Sequence, residues 1–163
     1  LYNSNNVMRD RKEFDYYIFI DFSENLIGYN IIGKEKVKEL LPKIIKLKHY
    51  RSLKHKREYL RAMKKLFTRE KIDSFILKSK IISIRDNVAI FTEVLEFVKK
   101  NKHCIIFVSI DDFQFKHFKR LLNVVDGGNT EIIQESKLKN GTPEYQMSLI
   151  IDTMLNIERR KEY

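Results

Sequence analysis

Two apolar runs in this chain stop at acids. Asp21 closes Tyr16-Tyr17-Ile18-Phe19-Ile20, and Asp111-Asp112 close Cys104-Ile105-Ile106-Phe107-Val108-Ser109-Ile110. A third carboxylate, Asp152, interrupts a late segment that is otherwise largely apolar. Carboxylates beside a hydrophobic core are costly unless they are paired, hydrogen-bonded or bound to a cation. A divalent metal shared by the three positions is the simplest explanation. Mg²⁺ or Mn²⁺ prefers hard oxygen ligands, and Asp is short enough to hold such an ion rigidly at a strand end. Asp21 and Asp111 are the first choices, because the ends of adjacent strands bring their side chains together. Asp112 is the alternative to Asp111, since neighbouring strand residues point to opposite faces. The competing reading makes Asp111 or Asp112 the N-cap of the helix that follows.

Asp152 lies three residues from both Leu149 and Leu155 and so borders the buried stripe of its helix, with Ser148 and Glu144 on the same face. The plainer reading is a polar flank on an amphipathic helix. For a fourth acid the sequence offers Glu93 and Glu96, on the helix before the second apolar run, whereas Glu24 reads as a turn residue. Other constellations are weaker. His49, His55, His103 and His117 show no ligand spacing with one another or with cysteine. No glycine-rich phosphate loop and no nucleophile arrangement is recognisable.

The charge is concentrated in one segment. Between Lys34 and Lys71 there are 15 Lys and Arg against 4 Glu and no Asp, a net of +11 that exceeds the +10 of the whole chain. Such a field attracts polyanions, with nucleic acid first and an anionic membrane surface second. Lys54, Lys56, Arg57, Arg61, Lys64 and Lys65 are the residues expected to meet it. The competing reading is a well-solvated, ion-rich surface of the thermophilic kind, although here the acids do not balance the bases. Phe113, Phe115 and Phe118 stand among Lys116, Lys119 and Arg120 and offer either base stacking or core packing.

At 163 residues and 43% hydrophobic, the chain buries one sizeable core, and a single domain over positions 13–160 is expected. The one cysteine, Cys104, sits inside an apolar run, which predicts a buried structural thiol in a reducing compartment. No stretch approaches the ~20 apolar residues of a membrane span, and Leu1 to Lys12 lacks a signal-peptide pattern, so a cytoplasmic location is expected.

The elements that position the acids follow from periodicity. Tyr16 to Asp21 and Leu26 to Ile32 predict a hairpin ended by Gly33. Val37, Leu40, Leu41, Ile44 and Ile45, then Leu53, Leu60, Met63, Leu66 and Phe67, predict a pair of helices broken near His49 to Ser52. Ser79 to Ile84 predicts a strand. Asp86 heads a helix carrying Val88, Phe91, Val94, Leu95 and Val98. His103 to Ile110 is expected to be the central strand. A helix from Asp112 closes at Asp126-Gly127-Gly128, Thr130 to Gln134 is a strand, and Thr142-Pro143-Glu144 opens the last helix.

This order of hairpin, helical insertion, strand, helix, strand, helix, strand and helix resembles the RNase H-like (retroviral integrase) superfamily. The matching stretches are Ile18-Phe19-Ile20-Asp21, Phe107-Val108-Ser109-Ile110-Asp111-Asp112, and Met147-Ser148-Leu149-Ile150-Ile151-Asp152. Where one broad group of that superfamily has Asp-Glu-Ser-Gly, this chain has Asp21-Phe22-Ser23-Glu24, and 34–71 is a basic helical insertion. The resemblance implies an α/β fold, a mixed sheet flanked by helices. It further implies a metal set drawn from Asp21, Asp111, Asp112 and Asp152, with Glu93 as an added catalytic acid and Mg²⁺ or Mn²⁺ as cofactor. Two such ions about 4 Å apart activate water and stabilise a phosphodiester's transition state, so a metal-dependent nuclease is the leading expectation. A nucleic-acid-binding module without a competent metal site, or a protein-interaction domain using the basic helices, is the alternative.

Overall fold

The computed structural model describes residues 14–161; the expectations placed on Leu1 to Lys12 and on a domain start at position 13 lie outside them. Five strands form one sheet in the order β3-β2-β1-β4-β5. β1 (Tyr16–Ser23) and β2 (Leu26–Gly33) make the predicted hairpin, and Glu24 takes a left-handed conformation in its two-residue turn. β3 (Lys78–Ser83) adds antiparallel to β2. β4 (Cys104–Val108) pairs parallel with β1, and β5 (Glu131–Gln134) parallel with β4. The central strand is therefore β1 and not the 103–110 run. The unbroken apolar character of β4 reflects cover on both faces, which a strand one place from the edge also receives here.

The two faces have separate cores. Phe19, Ile105 and Phe107 pack against α5 (Pro143–Lys161) through Met147, Ile150 and Ile151, with the rings of Phe19 and Phe107 stacked at 5.2 Å. The same core takes in Leu40 from α1 (Lys34–Leu40), Ile44 from the turn after it, and Met63 and Leu66 from α2 (Lys56–Arg69). On the opposite face, Ile18, Ile20, Ile106 and Val108 meet Ile90, Val94 and Val98 of α3 (Asn87–Lys100) and Phe118 and Leu122 of α4 (Asp112–Asp126). Cys104 lies buried in this second core, its thiol pushed up to about 12 by that burial. Among the described residues no helix is long and apolar enough to cross a membrane.

The basic segment departs from the expected helix pair. Pro42 lacks an N–H and its ring crowds the preceding turn, so α1 stops at Leu40 and tightens into a 3₁₀ turn over Leu41–Ile44. Ile45 is left 72% exposed. A second 3₁₀ turn, Tyr50–Ser52, occupies the predicted break before α2 begins. In α2 the cations from Arg57 onward face solvent, because Leu60, Met63 and Leu66 at three-residue steps define the buried stripe. The last helix starts as expected, with the Thr142 hydroxyl accepting the Tyr145 N–H at 3.2 Å. Of the three phenylalanines in α4, Phe118 is core, Phe115 packs against that core, and Phe113 is 72% exposed.

Candidate functional site

Alternation along the strands fixes which acids meet. Asp21 follows Phe19 by two residues, Ser109 follows Phe107, and Glu135 follows Ile133, so all three project from adjacent strand ends toward the face that α5 covers. Asp152 comes down onto that face from α5. Asp21 and Asp152 are each only 6% exposed, and Glu135 is half-buried in the 3₁₀ turn Glu135–Lys137.

Close approach of helix to sheet brings these groups together, and a glycine permits it. Gly28 is the β2 partner of Asp21, and a Cβ there would lie 2.8 Å from Ile81 Cγ1, 2.9 Å from the Lys80 carbonyl oxygen and 3.1 Å from Ile151 Cδ1. Ile151 immediately precedes Asp152. One turn after Asp152, Asn156 Oδ1 accepts from the Ser23 hydroxyl at 2.9 Å, while its Nδ2 donates to the Asp152 carbonyl at 2.7 Å. Arg159 extends the link, donating to Asn156 Oδ1 at 3.0 Å and pairing with Glu24 at 3.3 Å. The hairpin turn is thereby tied to the acid-bearing helix.

The electrostatics follow from burial. Burial first, then the carboxylates of Glu135 and Asp152, push the Asp21 carboxyl well above the usual range, against the Phe22 N–H that donates to its Oδ1 at 2.8 Å and against the Ser109 hydroxyl. Burial likewise raises Glu135, which Ser109 also reaches, and Asp152. Asp152 Oδ2 accepts the Tyr50 N–H at 2.9 Å, and the nearby His49 and Arg51 side chains act against the rise at both Glu135 and Asp152. These are three acids whose ionised forms repel one another in a poorly solvated place.

The other sequence-predicted acids lie elsewhere. Asp111 is the N-cap of α4, its Oδ1 accepting the Gln114 N–H at 2.8 Å, and it borders a cleft of about 830 Å³ between α3 and α4. Asp112 is exposed and accepts from Gln134 Nε2 at 2.9 Å. Neither adds to the repulsion on Asp21, because the chain leaves β4 at Val108 and both acids have turned into the helix start. Glu93 stands on the opposite face, where Tyr29 donates to it at 2.8 Å and Lys80 and Lys78 pair with it; Glu96 is exposed. Sequence reasoning missed Glu135, although Ile132-Ile133-Gln134-Glu135 repeats the pattern of an apolar run ending in an acid.

The cations stand along one flank. Arg57, Arg61 and Lys64 share with Arg160 and Lys161 a groove of about 260 Å³ between α2 and the end of α5. Lys54 lines a neighbouring hollow with Lys46 and Lys48, and Lys65 is exposed. Lys56 is turned inward, donating to the Leu53 carbonyl at 2.8 Å with its ammonium 5.6 Å from the Tyr50 ring centre.

The donor set suits a hard divalent cation. Among the described residues no three His, Cys, Asp or Glu side chains stand close enough to hold one ion between them. Mg²⁺ does not need such a cage, since it commonly takes one or two protein carboxylates and fills its octahedron with water and phosphate oxygens. Asp21 holds its backbone hydrogen bond on Oδ1, with the Ser109 hydroxyl as its other partner, and Asp152 keeps Oδ1, which meets a 3.5 Å contact from Asn156.

No family model matches the chain, and no curated protein sequence does so either. Solved structures do. Ribonuclease H2 from Pyrococcus horikoshii OT3 superposes with a TM-score of 0.57 at 14% identity, over 90% of this chain and 73% of that one. RNase HII from Archaeoglobus fulgidus, solved in complex with PCNA, superposes with a TM-score of 0.50 at 12% identity, over 90% of this chain and 72% of that one. With its mixed five-stranded sheet, its helical layers and these neighbours, the chain has the RNase H-like fold.

Proposed function

We propose that the acids form a divalent-metal site and that the chain hydrolyses phosphodiester bonds of nucleic acid held along its basic helices. The observation that carries this reading is the gathering of Asp21, Glu135 and Asp152, buried or half-buried, from two strand ends and one helix. Natural sequences retain such mutually repelling acids where function requires them. The solved neighbours are a ribonuclease H2 and an RNase HII, which supports the reaction class. Of the ligands that the sequence nominates, this reading keeps Asp21 and Asp152, and Glu135 joins them. Mg²⁺ or Mn²⁺, when bound, supplies an activated water and neutralises the charge of the phosphodiester in its transition state. The chain's own contribution is positional. The Phe22 N–H and Ser109 hydroxyl orient Asp21, and the Tyr50 N–H fixes one oxygen of Asp152. Lys54, Arg57, Arg61, Lys64 and Lys65 present charge for the substrate backbone.

A second reading, a nucleic-acid-binding module that does not cleave, is favoured by the lack of a three-donor cluster among the described residues. Calorimetric titration with Mn²⁺, followed by cleavage assays on single-stranded, duplex, hybrid and branched substrates, separates the two. The nuclease reading expects Mn²⁺ to bind and at least one substrate to be cut, with both lost in Asp21→Asn. Nucleic-acid binding by a wild-type chain that takes up no Mn²⁺ selects the module.

A further inference from the structure

The basic insertion is fastened to the acid-bearing helix at three heights. Gln146 Nε2 donates to the Ile44 and Leu47 carbonyls at 2.6 and 3.0 Å, Asp152 accepts the Tyr50 N–H at 2.9 Å, and Arg160 donates to the Tyr50 hydroxyl at 2.7 Å. The Tyr50 side chain is buried, with the Arg159 guanidinium 5.5 Å from its ring centre. The turn that carries His49 and Arg51 is thus held against α5 at the level of Asp152. His49 Nδ1 accepts the Arg51 N–H at 3.3 Å, which sets the backbone from which Arg51 departs. Arg51 itself is exposed and makes no ion pair among the described residues, unlike Lys43 of the same insertion, which pairs with Glu70.

We propose that Arg51 binds a non-bridging phosphate oxygen of the nucleic acid at the acid site, so that the insertion supplies one wall of that site as well as a distant basic surface. This rests on the reading of the acids as a metal site. An arginine beside carboxylates has a choice of anions. Once divalent ions neutralise Asp21, Glu135 and Asp152, the guanidinium has no reason to turn inward, and the substrate phosphate is the remaining anion. The planar fork of arginine fits two phosphate oxygens at once, whereas lysine offers a point charge.

The test uses Mn²⁺ alone and, separately, a labelled oligonucleotide, single-stranded or duplex according to which the wild-type chain binds more tightly. Arg51→Gln is expected to tighten Mn²⁺ by about three- to tenfold, because a positive charge near the ions is removed. The same variant is expected to weaken oligonucleotide binding and flatten its log–log salt slope by about 0.7–0.9, one phosphate contact. Arg51→Lys is expected to return the Mn²⁺ affinity to that of the wild type while restoring oligonucleotide binding only in part. A residue of purely structural importance would weaken both ligands together, so weaker Mn²⁺ binding in Arg51→Gln overturns the assignment. An unchanged salt slope overturns it too. A wild-type chain that binds no Mn²⁺ defeats the metal reading, and the oligonucleotide slope then decides Arg51 by itself.

Discussion

Replacing Gly28 with alanine tests whether a missing side chain sets the distance between helix and sheet at the acid site. A Cβ at this position would stand 2.8 Å from Ile81 Cγ1 and 3.1 Å from Ile151 Cδ1, where carbon atoms normally rest about 3.5–4.0 Å apart. Rotation of Ile81 relieves one contact. The Lys80 carbonyl oxygen at 2.9 Å is backbone in a paired strand, and relieving it shifts β3 or tilts β2. Overpacking of this kind costs about 1–3 kcal/mol, and the glycine-to-alanine gain in chain entropy returns about 0.5–1 kcal/mol. A net loss of about 1–2 kcal/mol is expected, or roughly 2–8 °C in Tm for a domain of this size. The second consequence is local. Ile151 moves away from the sheet and takes Asp152 with it, so Mn²⁺ affinity falls by more than the loss of stability explains. Gly33→Ala is the matched control, because the atoms nearest a Cβ there all belong to the side chain of Glu35, an exposed residue that swings aside. Urea unfolding at constant m-value, paired with Mn²⁺ calorimetry, reads both effects. A Gly28→Ala protein as stable as wild type, with unchanged Mn²⁺ affinity, would show that α5 finds its height without the gap at this glycine.

Three further outcomes are expected. Asp21→Asn removes one of the mutually repelling carboxylates and should stabilise the metal-free protein by about 0.5–2 kcal/mol while abolishing Mn²⁺ uptake, as read by urea midpoints in EDTA and by calorimetry; a destabilised variant contradicts the repulsion. The folded Asp21, Glu135 and Asp152 carboxyls titrate above their unfolded values, so the native state holds more protons between the two; their contribution to stability is complete below the ordinary carboxylate range and is lost as pH rises through the folded values. The urea midpoint of Asp21→Asn should therefore draw ahead of wild type as pH rises in EDTA, and a gap that narrows contradicts this sign. Charge reversal at Arg57, Arg61 and Lys64 should weaken oligonucleotide binding and flatten its salt dependence while leaving Mn²⁺ affinity unchanged, and equal salt slopes before and after would assign those residues to solvation alone.

How much of this was legible in sequence depended on the range of the interactions involved. The hairpin, the helices and the Thr142-Pro143 helix start were readable because period-two and period-3.6 patterns and capping residues are local. The early end of α1 was also written locally, in Pro42, but the apolar spacing through Ile45 outweighed it in the reading. Strand order was harder. An apolar run such as 104–108 reports that both faces are covered and says nothing of how many strands lie beyond it, so β4 looked central although β1 is.

The acids show the same division more sharply. Asp21 is nominated because it breaks an apolar strand, and Asp152 because it breaks an apolar helix. Asp111 satisfied the first criterion equally well, yet the chain has already left β4 when it arrives, and the helix beginning at Asp112 uses it as a cap. Parity does not separate them, because Phe107, Ser109 and Asp111 share it; the end of β4 at Val108 does. Counting by twos from the buried Phe107 gives Ser109 as the last residue aimed at α5, and counting from Ile133 gives Glu135. Sequence alone contains those counts, but it does not state which strand is last in register or where pairing stops. The turn at Tyr50 lay further out of reach, since its bond to Asp152 spans 102 positions and is made by a backbone N–H, which no residue type advertises. A site assembled from strand ends, one helix and the backbone of an insertion is therefore only half visible in a one-dimensional reading. The visible half consists of those residues whose chemistry conflicts with their own local element.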